Sequence, residues 1–262
     1  MIDQSQLPST LPTSEVHVCF AHLSEMVEPI SIGGEYLDER LSQEEIEKAQ
    51  NMRSPEVRHR FLASRLLLRF CLRSYIGKER AREPFLIADH GKLSLPHGDI
   101  EFNLSHSGDR WIGAFAKRNA VGVDLELPRK TVSFDLLVER FFSDHEKQQF
   151  KVYDSKSKEG AFFRGWTRKE AFIKATGLGM SLPLDSFSVS LARTVEQRNL
   201  LLEVTSPRLA ETKWHLSDVS PSQDVYAAVA LEGEGLEVKT FHLKDSCMKL
   251  KLKTAVDPSE PS

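Results

Sequence analysis

No stretch of the 262 residues approaches eighteen consecutive apolar positions, the length a helix needs to cross a bilayer. The amino terminus carries Asp3, Gln4, Ser5 and Pro8 where an export signal has a basic cluster and then an apolar core. The chain is therefore expected to be neither exported nor membrane-spanning, and to work in the cytoplasm. Cysteine is scarce, and Cys19, Cys71 and Cys247 are odd in number and far apart, which argues against a disulfide framework or a zinc knuckle. They read as reduced, structural thiols. Excess charge is lacking as well: Lys+Arg 35 stand against Asp+Glu 38, a net charge of -3, so binding to nucleic acid through bulk positive charge is not expected. There is no Walker or dinucleotide glycine pattern and no Gly-x-Ser-x-Gly elbow. Any phosphate must be gripped by side chains and metal, and a serine-hydrolase reading is poor.

What is present is a repeated order of elements. Hydrophobic residues make up 40% and charged residues 28%, which suits a globular chain with a real core. Ser42 with Glu45, and Ser143 with Glu146, each match a capping box. A long helical stretch follows each, from about Pro55 to Tyr75 and from about Lys158 to Thr176. Shifting the sequence by 101 residues aligns the two boxes and pairs Phe61 with Phe162, Arg65 with Trp166 and Arg69 with Glu170. It also pairs the strand-like Phe85 to Ala88 with Ser186 to Val189. Further strand-like runs are Glu101 to Ser105, Trp111 to Ala116, Ala120 to Glu126, Leu200 to Thr205, Lys213 to Asp218 and Val225 to Leu231. Strands segregated from helices indicate an α+β protein. The expected architecture is two similar α/β halves with pseudo-twofold symmetry, residues 15–122 and 123–242, with the active site at their interface. A single irregular domain is the alternative. Residues 1–14 and 243–262 read as flexible tails.

Four segments carry candidate chemistry. In Ala120 to Glu126, Val121, Val123 and Leu125 alternate with Gly122, Asp124 and Glu126, so Asp124 and Glu126 share one strand face about 7 Å apart. Two such carboxylates suit a hard cation, and Gly122 leaves room for a ligand to approach the backbone; the competing reading is a solvated edge strand. In Phe162 to Lys174, Glu170 and Lys174 are i,i+4 neighbours beside Trp166 and two phenylalanines, against the commoner fate of a surface ion pair. Ser105, His106 and Ser107 offer short donors at a strand end, followed by a Ser-Gly-Asp-Arg turn; a structural hairpin is the plainer alternative. Arg65, Arg69 and Arg73 form an i,i+4 row suited to phosphate, or else a solvated helix face.

Three motifs occur in one order: Asn103-Leu104-Ser105-His106-Ser107-Gly108, then Val121-Gly122-Val123-Asp124-Leu125-Glu126, then Trp166-Thr167-Arg168-Lys169-Glu170-Ala171-Phe172-Ile173-Lys174. In that order the chain resembles the phosphopantetheinyl transferase superfamily, in its larger, pseudo-twofold, monomeric branch that activates peptide and polyketide synthases. The run from Gly179 to Phe187 adds to the similarity, which covers roughly Arg40 to Val189. The resemblance implies transfer of the phosphopantetheine arm of coenzyme A to a serine of an apo acyl or peptidyl carrier protein. It implies that Asp124, Glu126 and Glu170 bind Mg²⁺, that Arg60 and His106 contact the ribose phosphate, and that Ser105 and Lys92 lie near the adenosine end. It further implies that Lys174 touches the diphosphate. Lys48 stands where relatives can carry one of two phosphate-binding lysines, and Glu45 where they carry the other. Glu170 is the leading base for the serine proton, with Glu146 in reserve, and Lys174 neutralises or protonates the leaving phosphate.

The segment Pro128 to His145 follows the carboxylate strand and mixes Val132, Phe134, Leu137, Phe141 and Phe142 with Arg129, Lys130 and Arg140. Apolar anchors rimmed by positive charge suit an acidic amphipathic partner, so this is the expected carrier-docking surface. The competing reading puts the phenylalanines in the core. Two rival functions remain: a Mg²⁺-dependent phosphodiester hydrolase and an inactive carrier-binding module.

Overall fold

A computed structural model describes residues 7–24, 35–128, 133–193 and 199–244. In chain order the elements are β1 (Glu15–His22), α1 (Glu35–Asp38), α2 (Gln43–Gln50), α3 (Pro55–Ile76), β2 (Leu86–Ile87), β3 (Leu93–Ser94), β4 (Glu101–Ser107), β5 (Arg110–Ala116) and β6 (Val121–Glu126). They continue with α4 (Phe134–Phe141), α5 (Asp144–Lys151), α6 (Lys158–Thr176), β7 (Phe187–Val189), β8 (Leu201–Val204), α7 (Pro207–Ala210), β9 (Trp214–Asp218), β10 (Tyr226–Glu232) and β11 (Glu237–His242). Among the described residues, no helix is long and apolar enough to cross a membrane.

Two sheets hold the core. One has the strand order β11-β1-β5-β4 and the other β6-β10-β9. Their facing sides are apolar: Val16, Val18, Ile112 and Ala114 from the first meet Val121, Val123, Leu125 and Val229 from the second. The outer face of the first sheet packs Cys19, Trp111 and Phe115 against Leu67, Leu68 and Cys71 of α3. The outer face of the second packs Leu216, Ala228 and Ala230 with Ala171, Phe172 and Ala175 of α6. Alternation along each strand therefore feeds two apolar layers, and the order is helix, sheet, sheet, helix. β4 and β6 lie side by side where the sheets adjoin, and the Asn103 side chain accepts from Val123 N–H at 3.0 Å.

Both capping boxes form, at Ser42 with Glu45 and at Ser143 with Glu146. Each box glutamate does a second job. Glu45 accepts from Arg69 Nε at 2.9 Å, and Arg69 also donates to the carbonyls of Ala81 and Glu83. Glu146 meets Lys169 Nζ at 2.8 Å, and Lys169 also donates to the carbonyls of Leu184 and Phe187. The two halves thus repeat one device, a short capped helix tethered to a long helix that in turn grips the following loop. The device also corrects the alignment of the long helices: Arg69 corresponds to Lys169, so Glu170 is one residue out of step with it.

The strands expected from alternation are present with boundaries moved by one or two residues. β1 and β11 were not anticipated, and they lie at the outer ends of the two expected halves, next to the segments expected to be tails. β11 runs parallel to β1 in the first sheet, with Val16 opposite Val238 and Val18 opposite Thr240. Leu11 and Leu243, assigned to the tails, are buried in the core beneath α3 because this pairing draws the chain ends onto the sheet. Cys19 and Cys71 are buried free thiols, and burial pushes the Cys71 thiol up; Cys247 lies outside the described residues.

Candidate active site

The strand β6 and the helix α6 meet backbone to backbone. A Cβ on Gly122 would stand 2.2 Å from the carbonyl oxygen of Ala171 and 2.1 Å from the nitrogen of Ala175. The space expected to admit a ligand beside Gly122 is taken by the helix, because only glycine lets the two backbones approach this closely. The approach brings the polar face of β6 under the last turns of α6.

Asp124 is buried at the centre of that face. Its Oδ1 accepts from Ser105 Oγ at 2.8 Å and from Lys174 Nζ at 2.7 Å, and Lys174 also reaches Ser105 Oγ at 3.1 Å. Its Oδ2 is buried without a hydrogen-bond partner. One step along the same face, Glu126 accepts from Ser107 Oγ at 2.8 Å, and Ser107 in turn accepts from Leu127 N–H. Period two on β4 therefore sets Ser105 and Ser107 against the two carboxylates of β6. Glu170, half-buried on α6, has its carboxyl held above the usual range by burial and then by the charge of Asp124, with Glu126 adding to it and Lys174 opposing. Asp124, Glu126, Glu170 and Lys174 are thus brought into one electrostatic neighbourhood. Among the described residues, no group of three or more His, Cys, Asp and Glu side chains is gathered as a ready metal cage.

The other expected residues surround this cluster. His106 stands at the exposed end of β4 and is held below the usual imidazole range, first by the chain packed around it and then by the charges of Lys174 and Arg60. Arg60 is exposed on α3 and pairs with Glu56 at 2.6 Å. Lys92 donates to the carbonyls of Val121, at the start of β6, and Ala175, near the end of α6, at 3.2 and 3.1 Å. Its ammonium therefore ties together the strand of Asp124 and the helix of Lys174, and burial holds its pKa down. Lys48 is exposed, 5.5 Å from the Phe61 ring.

Two expectations are corrected, and a third resolves in part toward the competing reading given for it. The arginine row is not a free phosphate comb: Arg69 is buried against Glu45, and Arg65 lies 3.6 Å from the same carboxylate. Glu146 is unsuited as a base, since it is fully buried and committed to Lys169, to Val189 N–H and to its own cap. In the segment Pro128 to His145, Phe142 is fully buried in the core and Phe134, Leu137 and Phe141 pack against it. Arg129, Lys130 and Val132 lie outside the described residues. The sequence reading missed the roles of Ser107 and Asn103, although short polar residues at every second position from 103 to 107 were a legible signal for side chains turned toward one neighbour.

Comparison with known proteins agrees with the motif reading. A family model described as the 4'-phosphopantetheinyl transferase superfamily matches residues 120–230. The 4'-phosphopantetheinyl transferase HetI of Nostoc sp. is 31% identical over 252 residues, covering 92% of this chain and 100% of HetI. The 4'-phosphopantetheinyl transferase Sfp of Bacillus subtilis is 35% identical over 175 residues, covering 62% of this chain and 77% of Sfp. Among solved structures, the holo-[acyl-carrier-protein] synthase of Thermotoga maritima overlaps at a TM-score of 0.31 and 15% identity, over 46% of this chain and 64% of that one. That overlap is too loose to match residues.

Proposed function

Because the chain belongs to the 4'-phosphopantetheinyl transferase superfamily, we propose that it transfers the phosphopantetheine arm of coenzyme A to a serine of an apo carrier protein, leaving adenosine 3',5'-bisphosphate. The observation that carries this reading is the convergence of Asp124, Glu126, Glu170 and Lys174 where β6 passes under α6. A hydrolase would need the same groups, but the match over the whole length of HetI favours the transferase.

The donor set fits a hard divalent cation. It is all oxygen, carries three carboxylates, and includes a buried carboxylate oxygen, Asp124 Oδ2, that lacks a partner. Asp124, Glu126 and Glu170 would hold Mg²⁺, which supplies charge neutralisation on the diphosphate when bound. Ser105 and Ser107 orient Asp124 and Glu126, fixing which oxygens face the site. Lys174 offers the diphosphate an ammonium that strengthens as charge develops on the leaving phosphate. Glu170, with a raised pKa and no hydrogen bond to the described residues, is the base for the serine proton, directly or through a water. Arg60 and His106 would hold the ribose phosphate, with Lys92 near the adenosine end and Lys48 at its margin. Ser105 has its hydroxyl engaged by Asp124 and Lys174, so its adenosine role would fall to its backbone.

The carrier would dock along Pro128 to His145, where Leu136 is exposed and Arg140 flanks it. The protein is read as a cytoplasmic monomer, with residues 15–122 and 123–242 as its halves and β11 lending an edge to the first. Incubating it with coenzyme A, Mg²⁺ and an apo carrier, then weighing the carrier, tests the reading. A mass gain of one phosphopantetheine arm supports transfer; release of phosphopantetheine with the carrier unchanged supports the hydrolase.

A further inference from the structure

Asp124 already holds a cation, and it is a side chain. Lys174 Nζ lies 2.7 Å from Asp124 Oδ1, and Ser105 Oγ braces both partners at 2.8 and 3.1 Å. The carboxylate is 5% exposed and the ammonium-bearing side chain 28%. The pair is shielded on the carboxylate side, where opposite charges attract more strongly than in open water. On the lysine side it is open enough for the ammonium to leave.

Resting on the reading that Asp124, Glu126 and Glu170 are the ligands of the divalent cation, we infer that Lys174 is a counterion lock on that site. The ammonium holds Asp124 against a bare divalent cation and yields it when a diphosphate arrives to take the ammonium in exchange. A cation that comes alone must push the ammonium off Asp124 or share Oδ1 with it, which sets two positive centres within a few ångströms of each other. A cation that comes with a diphosphate brings the lysine a new anionic partner, and the displaced charge is paired again at once. Metal and coenzyme A then bind with positive coupling, and by linkage each raises the affinity for the other by the same factor. Glu170 forms no ion pair with the described residues, so the lysine has chosen the buried carboxylate over its helical neighbour. That choice puts the lock on the ligand whose second oxygen is left without a partner.

Binding measurements without turnover test this. Mn²⁺ is titrated into the full chain and free Mn²⁺ counted by electron paramagnetic resonance, for the wild type, Lys174→Met, Lys174→Arg and Asp124→Asn. Coenzyme A binding is measured by calorimetry with and without Mn²⁺. Circular dichroism checks that each variant is folded. The expected result is that Lys174→Met binds Mn²⁺ alone on the order of tenfold more tightly than the wild type, while Lys174→Arg does not. Mn²⁺ should raise wild-type affinity for coenzyme A by roughly tenfold or more, within the range of ordinary couplings, and that of Lys174→Met by clearly less. Equal Mn²⁺ affinity in the wild type and Lys174→Met overturns the lock. If Asp124→Asn still weakens Mn²⁺ binding in that event, the carboxylate site stands without the lock. If Asp124→Asn leaves Mn²⁺ binding untouched, the ion is not on Asp124 and both the site and the lock are lost.

Discussion

Gly122 and Ala175 touch through their backbones, with room for a hydrogen but not a methyl group: a Cβ on Gly122 would lie 2.1 Å from Ala175 N. That proximity sets the spacing between Asp124 and Lys174, one two residues along the strand and the other one residue back on the helix. Gly122→Ala should force β6 and α6 apart, costing about 1–3 kcal/mol of stability as overpacking does. It should also lower turnover roughly 10²-fold, the scale of a 1 Å misplacement. Thermal melting and carrier-loading rates check this; a wild-type rate would mean that the close approach does not set the site.

Glu170→Gln should abolish transfer and leave the fold intact. Losing an essential base costs on the order of 10²-fold or more. The side chain is a carboxylate held among other carboxylates by burial, so the melting temperature should hold or rise. Activity within about tenfold of the wild type would remove Glu170 from both proton transfer and cation binding.

Asp124→Ala should raise the Mg²⁺ concentration needed for half-maximal rate far more than it weakens carrier binding. Initial rates titrated with Mg²⁺, alongside carrier affinity by calorimetry, separate the two effects. An unchanged Mg²⁺ dependence would place the cation elsewhere.

Lys169→Met should damage stability rather than chemistry. Lys169 and Glu146 are both fully buried, and removing one partner leaves a buried charge uncompensated, which costs about 3–5 kcal/mol. Changing both, to Met and Gln, should recover part of that loss. Rates per folded molecule in the double variant should stay near wild type; a large loss there would restore Glu146 as a base.

Stability should fall as the solution is acidified through the histidine range. His17 is fully buried; its Nε2–H donates to Glu15 and its Nδ1 accepts from the Tyr75 hydroxyl, both at 2.9 Å, as a neutral ring must. Burial is the main reason its pKa is lowered, outweighing the Glu15 carboxylate. The unfolded chain therefore takes up a proton near the ordinary value of about 6.5 while the folded chain resists until lower pH, so stability rises with pH across that window. Denaturant melts from pH 5 to 7.5 should show the slope, and His17→Gln should flatten it.

Much of the site was legible because it depends on period. Alternation in Val121 to Glu126 put Asp124 and Glu126 on one face, and the i,i+4 spacing put Lys174 beside Glu170. What spacing could not convey was which neighbour each face meets. Gly122 read as room for a ligand, yet it is the place where a helix comes closest, because a glycine in a strand signals close approach without naming what approaches. Arg69 read as a phosphate contact because its row looks like a basic surface, and only packing reveals that Glu45 and two carbonyls have claimed it. Glu146 could be recognised as a cap, but its burial depends on Lys169 arriving from another helix. β1 and β11 escaped notice because they pair across more than two hundred residues, beyond any local pattern.

That last pairing bears on how the molecule is made. β1 sits between β5 and β11, so this strand, made before either neighbour, gains its outer partner only after residue 242 has been synthesised. Until then the edge of the first sheet displays a row of unpaired backbone donors and acceptors, open to another nascent chain on the same message. At ~5–20 residues per second, the more than 200 residues between them keep that edge uncovered for about ten seconds or longer. The fold's N-terminal half therefore matures after translation of its C-terminal half, and chaperone dependence during expression should centre on the first strand.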